Sequence, residues 1–142
     1  MKNRVQMRGL ALFGIALGMF LTATDLPCLA QAFKPYPGSK LDEKGSRAAS
    51  ATNPSKQSDV YTTDDAFDKV YAFYKGLYQE YTMRGIPRLP SGQQIKWAFF
   101  ILDGAQDFSK SKYWMKIQRP YVGGADGKDI RDLTVIQTVR AK

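Results

Sequence analysis

Lys110, Lys112, Lys116 and Arg119 fall in one short stretch that also carries Tyr113 and Trp114. Cations interleaved with aromatic rings suit an anionic partner, held by charge and by contact over ring faces. Around them, little in the chain attacks or titrates near neutral pH. The 142 residues include no histidine and one cysteine, Cys28. Imidazole bases are excluded, and with a single thiol so are internal disulfides and most zinc, haem and iron–sulfur sites.

The carboxylate groupings have simpler readings than catalysis. Asp64, Asp65 and Asp68 crowd what reads as a helix start, where the helix dipole favours negative charge without a metal. Asp126, Asp129 and Asp132 are spaced by three, whereas a calcium loop takes ligands at alternate residues and closes on a Glu. Gly123, Gly124 and Gly127 lead into an extended run and not into a helix with a Lys-Ser/Thr pair, so they read as a turn and not a phosphate cradle. No Gly-x-Ser-x-Gly motif occurs. The expectation is a non-enzymatic protein without cofactor or metal.

The N-terminus reads as an export signal. Lys2, Arg4 and Arg8 precede an apolar run from Leu10 to Ala23, and Ala30 and Ala32 give a small–x–small cleavage site. Residues 1–32 are therefore expected to be removed. Asp25, Leu26 and Pro27 before Cys28 do not fit a lipoprotein signal. The remainder keeps a net charge of roughly +6. Residues 33–58, rich in Pro, Gly, Ser and charge, read as a flexible tether. Residues 59–142 then form one domain, in the periplasm or outside the cell. Export argues against nucleic acid as the partner and for an envelope protein, an anionic lipid or a polysaccharide, with self-association also open.

The elements that must position the basic stretch follow from periodicity. Phe67, Val70, Tyr71, Tyr74, Leu77, Tyr78 and Tyr81 recur at helical spacing, which predicts a helix over Asp64–Met83 with Thr62 as its cap and the tyrosines in the core. Gln94–Leu102, Tyr113–Arg119 and Ile130–Val139 read as strands, with a short edge strand at Val60–Tyr61. The expected fold is α+β: one long helix packed on a three- to four-stranded antiparallel sheet, in the order (β)αβββ. The Gln94–Leu102 strand is apolar on both sides, yet one helix covers one face. Phe100, Leu102 and Trp114 are thus expected on a face closed by the tether, a second copy or a ligand.

The Tyr36-Pro37-Gly38 segment, the run Val60-Tyr61-Thr62-Thr63-Asp64-Asp65 with Phe67, Lys69 and Val70, Ala72-Phe73-Tyr74-Lys75, and Leu133-Thr134-Val135-Ile136 together resemble a group of small exported bacterial proteins with no assigned activity. That resemblance implies location and fold class and transfers no catalytic residue. The sequence thus points to an exported binding domain of the bacterial envelope. The alternative is a carrier that holds an apolar small molecule between helix and sheet.

Overall fold

The computed structural model describes residues 32–123 and 127–142. The export signal up to residue 31 and Asp126 lie outside the described residues. The elements in order are β1 (Lys40–Leu41), α1 (Glu43–Thr52), β2 (Lys56–Thr63), α2 (Phe67–Lys75), β3 (Gln79–Tyr81), β4 (Lys96–Ile101), a 3-10 turn (Phe108–Lys110), β5 (Tyr113–Arg119), β6 (Tyr121–Gly123), β7 (Asp129–Arg131) and β8 (Thr134–Ala141). Six strands form one antiparallel sheet in the order β1-β2-β8-β5-β4-β3, and β6 and β7 make a separate hairpin.

This corrects the expected fold class. The chain is α+β, but its described residues form a six-stranded sheet, a two-stranded hairpin and two short helices instead of one long helix on three or four strands. The helical period holds only from Phe67 to Tyr74. At Gly76 the chain turns, with the amides of Leu77 and Tyr78 both donating to the Tyr74 carbonyl at 2.9 Å. Residues Gln79–Tyr81 then pair with Phe99–Ile101 as β3, so Tyr78 falls in the bend before the strand and Tyr81 in the strand itself. Thr62, the expected cap, lies inside β2, and α2 starts at Phe67, with Ala66 before it at the cap position and no side-chain cap. Val60–Tyr61 is the interior of an eight-residue strand paired on β8. The segment 33–58, read as a tether, contains β1, α1 and the start of β2.

Strand alternation sorts the core into two faces. On the first, Phe100, Met115, Ile117 and Ile136 are fully buried beneath Val70 and Tyr74 of α2. Phe100 and Leu102 therefore lie under the helix, at 0 % and 1 % exposure, and not on the face it leaves open. The register Phe100↔Met115 fixes this parity. The N-terminal segment closes the same face toward β2. Phe33 packs 5.4 Å from Tyr61 and 6.1 Å from Tyr74, and Tyr36 meets Phe73 edge-on at 5.3 Å. The Tyr36 hydroxyl donates to Asp65 at 2.7 Å, and Lys69 reaches the same oxygen at 2.9 Å. These two donors hold the Asp65 carboxyl below its ordinary pKa. The Tyr-Pro-Gly segment and the acidic helix start are thereby two halves of one contact.

Candidate functional site

The second face of the sheet is built differently. β1 pairs only with Tyr61 and Thr62, so the outer edge of β2 before them has no strand partner. α1 supplies one. The Val60 amide donates to the Ser46 hydroxyl at 2.8 Å and the Ser58 amide to the Ser50 hydroxyl at 3.0 Å, while the Val60 carbonyl accepts from the Asp42 amide at 2.7 Å. Four residues of helix rise about 6 Å and two residues of strand about 6.8 Å, so serines one turn apart match alternate amides of the edge. Asp42 caps α1 by accepting from Gly45 at 2.8 Å. A side chain at Gly45 would place its Cβ 2.8 Å from the Asp42 carboxylate, which explains a glycine inside this helix.

From this edge α1 leans over part of the second face. The cross-strand register lines up Val60, Gln137, Lys116, Phe99 and Tyr81 across five strands. At the β3–β4 side the 3-10 turn covers the row. The Phe108 ring lies 4.8 Å from Tyr81, 5.8 Å from Phe99 and 5.1 Å from Trp114. Between that aromatic cluster and α1 is a cleft of about 500 Å³ with Lys116 at its floor. Gly45, Ala48 and Ala49 of α1 form one wall, and Tyr121 and Gly123 close one end. Tyr121 is itself fixed by the Arg131 guanidinium, 4.0 Å above its ring. A second cavity of about 260 Å³ shares Ala49, Thr52 and Gln137 with the first and continues to Trp114 and Val139.

Lys116 is half-buried and has no hydrogen bond or ion pair among the described residues. Burial pushes its ammonium below the ordinary lysine pKa, and no anion opposes that shift. Among the described residues no Asp or Glu lines either cavity. The arrangement is a positive charge in a partly apolar cleft, unpaired among the described residues.

The other basic residues singled out by sequence are not part of it. Lys110 ends the 3-10 turn and Lys112 precedes β5, both with exposed side chains. Arg119 is on the opposite face from Lys116, because an odd separation along a strand reverses direction. Its Nη1 donates to the carbonyls of Asp64 (3.2 Å) and Asp65 (3.0 Å) and to Thr134 Oγ1 (3.2 Å), and its Nη2 lies 2.9 Å from Asp132. Arg119 therefore pins the β2–α2 loop to the start of β8 and offers little to a partner. Trp114 shares the second face with Lys116, two residues away, whereas Phe100 and Leu102 are core.

Sequence reasoning missed α1, Gln137 and the cleft itself. The available signals were Asp42 ahead of an alanine-rich run, and Ser46 and Ser50 one helical turn apart. Among the described residues no group of three or more His, Cys, Asp or Glu could hold a metal ion, and no helix is long and apolar enough to cross a membrane. Comparison with protein-family models, with curated proteins and with solved structures gave no match to this chain.

Proposed function

We propose that this is an exported, non-enzymatic binding domain of the bacterial envelope that holds an anionic ligand in the cleft beneath α1. The observation that carries this reading is Lys116. A half-buried ammonium without a partner is unfavourable in the free protein, and a bound anion relieves that cost. A volume of about 500 Å³ falls in the range of small-molecule sites. The space between α2 and the sheet is filled by Val70, Tyr74, Phe100 and Met115, each at 0 % exposure. A ligand carried between helix and sheet would therefore sit under α1. The export part of the proposal rests on the N-terminal charge, apolar run and small–x–small site.

The test is native mass spectrometry of the protein isolated gently from its own envelope, beside the Lys116→Gln variant prepared identically. The expected result is a polypeptide beginning at Phe33, with an added small-molecule mass that the variant lacks. Identical, unliganded masses for both proteins would refute the anion site, and a retained residue 1–32 segment would refute export by cleavage.

A further inference from the structure

Resting on the reading of the Lys116 cleft as an anion site, we infer that its ligand is an aliphatic monocarboxylate, with the carboxylate on Lys116 and the hydrocarbon body extending toward Trp114. The charge balance argues for a single negative charge. Among the described residues Lys116 is the one cation lining the larger cavity, and Lys56, which lines the second, already places its Nζ over the Trp114 ring at 5.9 Å. The N-terminus of α1 cannot add to it, because Asp42 already occupies the Gly45 amide and places a carboxylate there. A phosphate or sulfate gathers several donors, commonly a helix terminus or paired guanidinium groups, and none is offered here.

The polar groups of the walls argue against a hydroxyl-rich ligand, because they are already engaged within the protein. Thr52 Oγ1 donates to Ala48 O at 3.1 Å, the Ser58 backbone exchanges hydrogen bonds with the Ser50 hydroxyl, and Gln118 Nε2 donates to Pro120 O at 3.1 Å. Gln137, directly across from Lys116, reaches Ser58 only at 3.5 Å and can still turn to a carboxylate oxygen. What remains for the body of the ligand is largely carbon, with Lys56 and Asn53 as further polar residues of the second cavity. Ala48, Ala49, Val60 and Val135 line the larger cavity, and Val139 and Trp114 line the second. The two cavities share walls, and Lys116 and Trp114 lie on one face about 6.8 Å apart along β5. A flexible chain of several methylenes spans that distance.

The experiment is a fluorescence titration in a Trp97→Phe background, which leaves Trp114 as the single tryptophan. Hexanoate and octanoate are the probes; octanol, inorganic phosphate and glucuronate are the comparisons. Expected are a saturable change in Trp114 emission with octanoate, binding of octanol at least about tenfold weaker, and a loss of octanoate affinity of about tenfold or more in Lys116→Met. Lys116→Arg, which keeps the charge, should retain most of the binding and guards against a folding artefact in the Met variant. Equal affinity for octanoate and octanol would overturn the inference. Tighter binding of phosphate or glucuronate than octanoate, abolished in Lys116→Met, would overturn the ligand class while leaving the anion cleft standing. No saturable response to any probe, by emission or by calorimetry, would remove both.

Discussion

The Ser46 hydroxyl accepts the Val60 amide at 2.8 Å, so a helix side chain takes the place of a neighbouring strand on the β2 edge. Ser50 repeats the device at Ser58, one turn along the helix. Together they blunt an edge that would otherwise present unpaired amides to another chain. They also set how α1 stands over the second face, and hence the shape of the cleft.

Replacing Ser46 by alanine leaves the amide of Val60, a residue 3 % exposed, without its acceptor. A buried donor stripped of its partner costs about 1–3 kcal/mol. The expected outcome for Ser46→Ala is a loss of that size in urea unfolding, with a smaller loss for Ser50→Ala near the exposed end of α1. Octanoate binding should weaken in Ser46→Ala even under conditions where the sheet remains folded. Hydrogen exchange checks the mechanism, since the Val60 amide should lose protection selectively.

Arg119 supplies a second prediction. Its guanidinium meets two carbonyls, the Thr134 hydroxyl and Asp132 from one position, and a lysine ammonium cannot reproduce that planar fork. Arg119→Lys should therefore destabilise nearly as much as Arg119→Ala, by about 2–4 kcal/mol for a partly buried network. Ligand binding at the opposite face should change little in either variant at temperatures where it is folded. A basic residue serving an external partner would behave the other way, tolerating lysine for stability while losing affinity.

What the sequence disclosed and what it hid follow the same physics. β5 matches its expected bounds because Tyr113–Arg119 alternates and Pro120 ends it. The body of α2 was legible in its aromatic period, but its start at Phe67 falls after the expected Asp64, and its end was obscured by Tyr78 and Tyr81, which keep that period by chance after Gly76. α1 escaped notice because it is held by serine hydroxyls and alanine packing, and leaves no apolar stripe to read. Ile130–Val139 reads as one strand, but the Leu133 amide donates to Arg131 O and Arg119 grips Asp132, which splits it into β7 and β8. The site was half legible. Lys116 and Trp114 stood in the basic, aromatic stretch, but the face they share and the helix above them depend on pairings distant in sequence.

Asp103 gives the chain a specific acid sensitivity. Burial disfavours its charge, but amide donors from Lys112, Ala105 and Tyr113 and the Ser111 hydroxyl prevail and hold its pKa below 3.8, the ordinary value. A carboxylate with a lowered folded-state pKa contributes stability that is fully present above the unfolded value and is lost as pH falls through the folded one. Asp103→Asn turns an amide group toward the amides of Lys112 and Tyr113. It should cost about 1–2 kcal/mol near neutrality. The stability difference between wild type and variant should then shrink as pH drops below 3.8. Urea midpoints measured from pH 7 down to about pH 2.5 would show the two curves converging; parallel curves would mean that Asp103 acts by shape alone.

Lys116 makes the opposite prediction, because a group kept for a ligand is a burden to the free protein. Its folded-state pKa is lowered by burial from 10.5, its unfolded value. Below the folded value both states carry the charge, and the folded state bears the full cost of burying it. Between the two values the unfolded chain binds more protons, so this lysine's contribution to stability improves as pH rises. Lys116→Met should accordingly stabilise the unliganded protein at neutral pH, by about 0.5–2 kcal/mol, and the gain should narrow as pH approaches 10.5. The same substitution should abolish the stabilisation that octanoate confers on the wild type. Thermal unfolding of both proteins, with and without octanoate and at neutral and alkaline pH, reads all of these effects together. A Met variant less stable than wild type would mean that the ammonium already has a partner within the fold, and the cleft would then not be a place prepared for an anion.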